Sequence, residues 1–600
     1  MALGIKSLSN NKKTALLILT LLSLLFLFPI FTTFTNWGVH DWDQHMFYNE
    51  VPRRTILEFK QFPLWNPYYC GGNVMLANPQ SAFLSPIYIF VLLFGASIGL
   101  KLEIIAHFII GLYGMYLLSK HFKLGKISSY LPSIIYIFSS WFTLRMLAGH
   151  TIYMPMAFIP YVFLFYLKSL KNVKYSFISA IFLAIMILGG ATYPIYFIMI
   201  ILGIYSVLIL FKNLSKNEEW KKSFKPIISL LIIIFLVFLL SAIKVFPIYM
   251  FMKGSDTGTE DIQYYTTNLF FSSILSRTQS PWIMENEFGL QHDESDENYL
   301  INRLLGKIPW AWHEYGAYIG IIPLLLFLLS FLYYKKLWPL QVTSIILLMI
   351  LFGKTLPFWN LLRKFPYLDN LHGPSRFIMP FIFILAILSG YILSKFEKKN
   401  IKYKKFNISK LLSLLIIVFI FIDLLLVSYP ILQNMFSKES INIDSSQYPN
   451  FIQIFSSDKY VSQYPNFLQN LGTVNCYERI HPQIRVTPQV IDDGTLIETF
   501  KGDAYYPELN KTAEIISFSP NKLTIKVNVN NPALLVINQN YLPGWKAKDK
   551  QVSSYNGLIA AEVTENDKEI NFYYLPNSFI VGLIVSILTL VLSITFFKKL

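Results

Sequence analysis

The chain has 600 residues, 54% of them hydrophobic and 16% aromatic, with a formal charge of +16 and a mean hydropathy of +0.46. That balance excludes a soluble multidomain protein. The positive charge does not point to nucleic acid, because the lysines lie in short connectors between apolar segments, where the positive-inside rule puts them in the cytoplasm.

A membrane-spanning helix needs roughly 20 apolar residues. Windows of that kind recur at about 14–34, 102–119, 127–143, 152–168, 174–189, 192–211, 226–247, 314–334, 338–353, 375–395, 410–430 and 577–597. The predicted fold class is a polytopic α-helical membrane protein of about 12 transmembrane helices, with a large first extracytoplasmic loop and a C-terminal extracytoplasmic β-rich domain. Residues 1–430 form the membrane domain, with a first outer loop at 35–86 and a second at 248–313. Residues 431–576 form the β-rich domain, and 577–600 return the chain to the membrane.

Twelve crossings keep every lysine cluster, and both termini, on the cytoplasmic side of a plasma membrane. Counting the apolar stretch 83–100 as a crossing would invert Lys120, Lys123 and Lys126. It is therefore read as an interfacial or re-entrant helix, with a thirteen-span arrangement left open. The first apolar segment is too long for a signal peptide and has no small-residue cleavage site, so it is read as a retained helix.

The first outer loop concentrates chemistry. It carries Asp41, Asp43 and Glu50, then His40, His45, Arg53 and Arg54, then Trp65, Asn66 and Pro67. Two short outer turns follow, Arg145 to His150 and Gly189 to Pro194. The acidic loop 248–313 closes on Trp310, Trp312, His313 and Glu314, and a further loop leads through Gly373 and Pro374 to Arg376. In the distal domain, alternation of apolar and polar residues predicts strands at 522–529, 533–537 and 569–574. Turn signals at Asn530–Pro532, Pro543-Gly544 and Asn556-Gly557 separate them, as in an antiparallel sandwich.

A charge at the bilayer centre costs roughly 2.5–3.5 kcal/mol on insertion scales, so each one asks for a partner or a cavity. Glu103, Arg145, Lys244 and Asp423 all fall in the outer halves of their predicted helices, and Glu103 shares a helical face with His107. The one-sided distribution points to a polar cavity opening outward beneath the first loop. Separate ion pairs and snorkelling are the alternative. Cys70 and Cys476 both fall outside, where a disulfide and two free thiols are equally compatible.

The pattern resembles the GT-C superfamily of membrane glycosyltransferases, and within it the YfhO-type bacterial membrane proteins. The residues that carry the resemblance are Asp41-Trp42-Asp43, the run Phe62 to Pro67, Gly71-Gly72, Asn78 to Gln80, Gly149-His150, Glu314 to Gly320, Pro374 to Phe377 and the distal Asn540 to Trp545. The turn Gly189 to Tyr193 departs from the family by lacking a His-Gln pair. The resemblance implies a polyprenyl-phosphate sugar donor used on the outer face, an acceptor that is a glycan, polymer or protein, and a first-loop acid as catalytic base.

The residues suit that chemistry. A carboxylate takes the proton from an acceptor hydroxyl as bonding develops, and Asp41 and Asp43 both qualify. They share a face only if the segment is extended. Arginine forks suit a phosphate, which nominates Arg53, Arg54, Arg145 and Arg376. His150, His313, Glu314, Glu103, Trp65 and Asn66 are candidate substrate contacts, with an aromatic interface belt as the other reading of the tryptophans. A divalent cation is left open, and Asp293 to Glu297 lacks a calcium-loop pattern. No phosphate-cradling glycine motif is present. A flippase of lipid-linked glycans would place polar residues through both leaflets and show inverted repeats, neither of which is seen. A non-catalytic scaffold for envelope glycan assembly would tolerate loss of both first-loop acids.

Overall fold

The computed structural model describes residues 12–38, 41–253, 264–279, 312–364, 368, 371, 373–403, 406–440, 451–456, 462–475, 484–492 and 494–599. Within them the chain is a helical membrane domain carrying a C-terminal β-rich domain. Trp310, Cys476, His40 and the acidic stretch 293–297 lie outside the described residues.

Among the described residues, seven helices are long and apolar enough to cross a membrane, or eight if a bent pair is one span. Several of the twelve predicted windows are interrupted or shorter than that. The first breaks at Leu27 between Lys12–Phe26 and Phe28–Thr32, and the third breaks at Ser139 between Leu131–Phe138 and Ser140–Leu147. Lys174–Leu188 has 15 residues. The windows at 314–334 and 338–353 merge into one helical run, Ile321–Leu351. At the centre stands Ile378–Lys398, apolar on every side and buried along its length, as expected of a helix with no solvent face.

Two breaks are compensated by side chains. The stretch expected to be an interfacial or re-entrant helix is set off as a short helical segment before Gly95, which leaves helical geometry at φ 77° and kinks the run Pro86–His121. The N–H of Ala96 just beyond that kink donates to Glu50 Oε2 at 2.7 Å. Arg53 holds Glu50 Oε1 at 2.6 Å and donates from Nε to the carbonyl of Leu92. The second break bends Lys225–Leu240 against Ala242–Met252 by 81°. There Ile243 N donates to Ser586 Oγ at 2.9 Å, a residue of the helix Asn577–Lys599. Backbone groups freed inside a bilayer have no water to turn to, so each such partner matters.

The distal domain is a sandwich, as its alternation predicts. One antiparallel sheet orders Glu514–Ser519, Lys522–Lys526, Glu569–Tyr574 and Trp545–Ala547. The other orders Val552–Tyr555, Leu558–Val563, Ala533–Asn540, Ala504–Tyr506 and Lys511–Thr512. Leu535, Ile537, Ile559 and Val563 pack into one core with Leu523, Ile525 and Phe572. Asn556 and Gly557 both take positive φ, which a two-residue hairpin turn requires. A three-stranded parallel sheet of Ile452–Phe455, Leu471–Thr473 and Val490–Ile491 was not legible in the sequence.

The first loop is bolted to this domain. Its helix, Trp42–Leu57, is followed by a two-residue hairpin in which Trp65 pairs with Val74. Asn521 accepts from the N–H groups of Leu64 and Trp65 and donates to the carbonyl of Phe62 at 2.6 Å. Asn540 donates to the carbonyls of Cys70 and Gly72, and Thr473 N donates to the carbonyl of Tyr68. Cys70 is in a disulfide.

Candidate functional site

Four separate segments build the site, the fourth being Pro374–Phe377 with Arg376. The turn after Ser140–Leu147 reaches Gly149, with φ 86°, where a Cβ would stand 2.4 Å from Trp42 N. Only glycine permits that approach. It seats the start of the first-loop helix on the turn, and Trp42 Nε1 locks it there by donating to the carbonyl of Met146 at 2.8 Å. Asp41, the residue before that helix, makes no capping hydrogen bond. Its Oδ2 instead meets His150 Nε2 at 3.1 Å. The third segment, Trp312–Glu314, brings His313 and Glu314 from the far side.

Beneath Asp41 lies a buried charge cluster. Arg145 donates from Nη1 and Nη2 to the two carboxylate oxygens of Glu314, both at 2.7 Å. Arg376 donates to the same oxygens from Nε at 3.0 Å and Nη2 at 3.1 Å. Arg145 Nη1 also lies 3.1 Å from His150 Nδ1. Aromatic faces wall the guanidiniums, Tyr193 at 4.4 Å from Arg376 and Tyr153 at 4.9 Å from Arg145. Exposure is graded: the side chains of Arg145 and Glu314 are 0% and 2% exposed, Arg376 12%, His150 16% and Asp41 23%. The site therefore opens at Asp41 and closes at Arg145.

Electrostatics follow from that grading. Burial alone would raise the Asp41 carboxyl, but the hydrogen bond from His150 and the imidazoles of His150, His45 and His313 outweigh it, leaving about 2. Burial likewise favours the charge-free form of Glu314, yet Arg145 and Arg376 hold it well below the usual carboxylate range. Burial lowers His45 to about 4 and His313 to about 3. At neutral pH both acids are ionised and these two histidines are neutral.

His150, His313 and Glu314 offer ligand atoms within 4.8 Å of one another, the spacing of a metal site. The donor set does not fit a cation. Both Glu314 oxygens are claimed by two guanidiniums, and one of those guanidiniums also occupies His150 Nδ1. A divalent ion there would face two fixed positive charges across a few ångströms of low-dielectric interior.

Of the residues expected from the sequence, Asp41, Arg145, His150, His313, Glu314 and Arg376 meet in this cluster. Others do not. Asp43 and Asp41 are not on an extended segment: Asp41 stands at the N-cap, in αR geometry, of the helix that carries Asp43, which sets the two about 200° apart in azimuth. Asp43 turns to the distal domain, where its carboxylate accepts from Gln463 N at 2.9 Å and Tyr464 N at 3.1 Å. Arg53 braces the Gly95 kink through Glu50, and Arg54 pairs with Glu58 on the surface. Trp65 is fully buried against Trp545 and Tyr574, and Asn66 closes a turn by accepting from Tyr68 N. Glu103 is buried in its helix, with Oε1 unpaired, while His107 Nδ1 donates to the Glu103 carbonyl. Nor do the four charges expected in outer helix halves converge. Lys244 holds the carbonyls of Ser81 and Ile187, and Asp423 pairs with Arg277 and Tyr318.

Sequence reasoning missed Thr151, which holds His45 Nδ1 at 2.8 Å, and the aromatic walls Tyr153 and Tyr193. Proximity of Tyr193 to the Gly189 turn was the available signal.

No family model matches the chain, and no curated protein matches it either. Among solved structures it is similar to the Archaeoglobus fulgidus oligosaccharyltransferase in the apo form, at 12% identity and TM-score 0.44, over 78% of this chain and 65% of that one. It is also similar to the archaeal oligosaccharyltransferase AglB from Archaeoglobus fulgidus in complex with an inhibitory peptide and a dolichol-phosphate, at 12% identity and TM-score 0.46, over 78% of this chain and 64% of that one. The chain thus spans about two thirds or less of the length of the solved structures it matches.

Proposed function

We propose that this chain is an integral-membrane glycosyltransferase of the GT-C type. It moves a sugar from a polyprenyl-phosphate donor to an extracytoplasmic acceptor, a cell-surface glycan, polymer or protein, with Asp41 as general base. The observation that carries the reading is a part-exposed carboxylate joined through His150 to a buried pair of guanidiniums that share Glu314.

The step balances as a single displacement. The acceptor oxygen bonds to the anomeric carbon while its proton passes to Asp41. The bond from that carbon to the phosphate oxygen breaks, and its electron pair leaves with the polyprenyl phosphate, inverting the anomeric centre. A carboxyl near 2 is a weak base at rest, so proton transfer comes late, once bonding has made the acceptor hydroxyl strongly acidic. Arg145, Arg376 and Glu314 together carry one net positive charge, which matches the single negative charge of a phosphodiester donor. Arg376, the more exposed of the two arginines, is the better placed to meet it with a planar fork.

The test is sugar transfer by purified protein given a panel of radiolabelled polyprenyl-phosphate sugars, with Asp41→Asn and Asp43→Asn beside wild type. Turnover lost in Asp41→Asn, with donor still bound, is the expected result. Unchanged turnover in Asp41→Asn overturns the catalytic reading in favour of a flippase or scaffold.

A further inference from the structure

We propose that Arg145 and His150 are positioning residues that fix which oxygen of Asp41 takes the acceptor proton, with Glu314 as the anchor of the series. The inference rests on Asp41 being the base and adds to it a defined order of hydrogen bonds.

A guanidinium has only donors and keeps its proton at any ordinary pH. The 3.1 Å approach of Arg145 Nη1 to His150 Nδ1 therefore requires a lone pair on Nδ1. A neutral imidazole then carries its hydrogen on Nε2, which is the atom 3.1 Å from Asp41 Oδ2. The tautomer is set by one contact and used by the other. The hydrogen bond draws charge from Oδ2 and makes it the weaker base, which leaves Oδ1 as the oxygen that takes the proton of the incoming hydroxyl.

The far end of the series is immobile. Arg145 is fully buried, held at both Nη atoms by Glu314, and walled by Trp141 and Tyr153. Both arginines bond both Glu314 oxygens, but Arg145 also holds His150 and is fully buried whereas Arg376 is the more exposed, so Arg145 serves orientation and Arg376 serves the phosphate. With its hydrogen on Nε2, His150 acts as a donor to Asp41.

The titratable and charged groups facing Asp41 are His45 from its own helix, His150 from the turn and His313 from the segment Trp312–Glu314, with Arg145, Glu314 and Arg376 behind them. Of these, only His150 makes a hydrogen bond to the Asp41 carboxylate.

The experiment measures donor-dependent transfer against pH for wild type, Asp41→Asn, His150→Ala, His150→Gln and Arg145→Lys in full-length protein. Removing the His150 donor leaves burial to act on Asp41, which raises a carboxyl. His150→Ala is expected to lower kcat about 100-fold, to leave donor KM within about threefold, and to move the acid limb of the rate profile to higher pH. Glutamine retains an oxygen to accept from Arg145 and an N–H to donate to Asp41. His150→Gln is expected to recover at least about tenfold of the loss and to return the acid limb toward the wild-type position. Arg145→Lys, where it folds, shifts the limb in the same direction as His150→Ala, because a single ammonium cannot serve Glu314 twice and His150 once. An unmoved acid limb in His150→Ala, or no recovery in His150→Gln, overturns the positioning role. If Asp41→Asn instead retains wild-type turnover, it is the base assignment that falls, and the positioning role with it.

Discussion

Asp41 and Asp43 stand two residues apart and are held by different parts of the protein. The carboxylate of Asp41 meets His150 in the membrane-domain turn, and that of Asp43 receives the backbone N–H groups of Gln463 and Tyr464 in the distal domain. Substitution of each acid therefore separates two kinds of loss. Asp41→Asn should reduce turnover by about 10²–10⁴ with little change in the thermal midpoint. Asp43→Ala should leave two buried N–H groups unpaired, a cost of roughly 1–3 kcal/mol each, read as a lower midpoint and faster proteolysis of the distal domain.

Glu314 is the single carboxylate between two buried guanidiniums. Glu314→Gln keeps the shape and removes the charge, which leaves Arg145 and Arg376 repelling each other in the interior. Breaking a buried pair in this way destabilises by roughly 3–5 kcal/mol. Thermal unfolding in detergent should show it even where no substrate is present.

Acid should weaken the fold below the ordinary histidine range. Burial holds His45 at about 4 and His313 at about 3, against 6.5 for an unperturbed histidine. Both bind protons more weakly folded than unfolded, so their contribution is complete above 6.5 and is lost as pH falls from there toward 4. Asp41, at about 2 against 3.8, adds a loss only below 3.8. For His45 alone the loss is on the order of 3 kcal/mol. The thermal midpoint should decline steadily between about pH 6.5 and 4.5, and His45→Gln should flatten that slope.

Trp65 packs on Trp545 and Tyr574 and donates to Gln539, with no exposed surface. Its role is cohesion of the first loop with the β domain. Trp65→Ala should cost roughly 3–5 kcal/mol, whereas Trp65→Phe should leave the KM for donor and acceptor unchanged. A KM that rises with Trp65→Phe would restore the tryptophan as a sugar platform.

Chelation should leave transfer within about twofold of the untreated rate, an outcome that follows from two guanidiniums occupying the oxygens of Glu314. Loss of activity with EDTA, restored by a divalent ion, would refute the assignment of that charge to arginine.

The helical windows and distal strands were legible because both rest on local periodicity. Asp41, His150, Glu314 and Arg376 were legible as polar residues at outer turns. What local pattern could not reveal was pairing across the chain: Asp43 is bound to residues 420 and 421 positions away, and the order from Glu314 through Arg145 to His150 depends on a turn geometry set by Gly149. The twelve predicted windows do not map one to one onto long unbroken helices for a related reason. Hydropathy sees apolar length but not the breaks at Leu27, Ser139 and Ser241, where the helices end inside apolar windows.

The bend at Ser241 also constrains the order in which the molecule is assembled. Ile243 finds its acceptor in Ser586, 343 positions further along the chain. For most of synthesis, the ribosome has not yet made the hydroxyl that this amide needs. The bend is thus a junction that waits, and a chain stopped before Ser586 carries an unmet donor in its membrane domain.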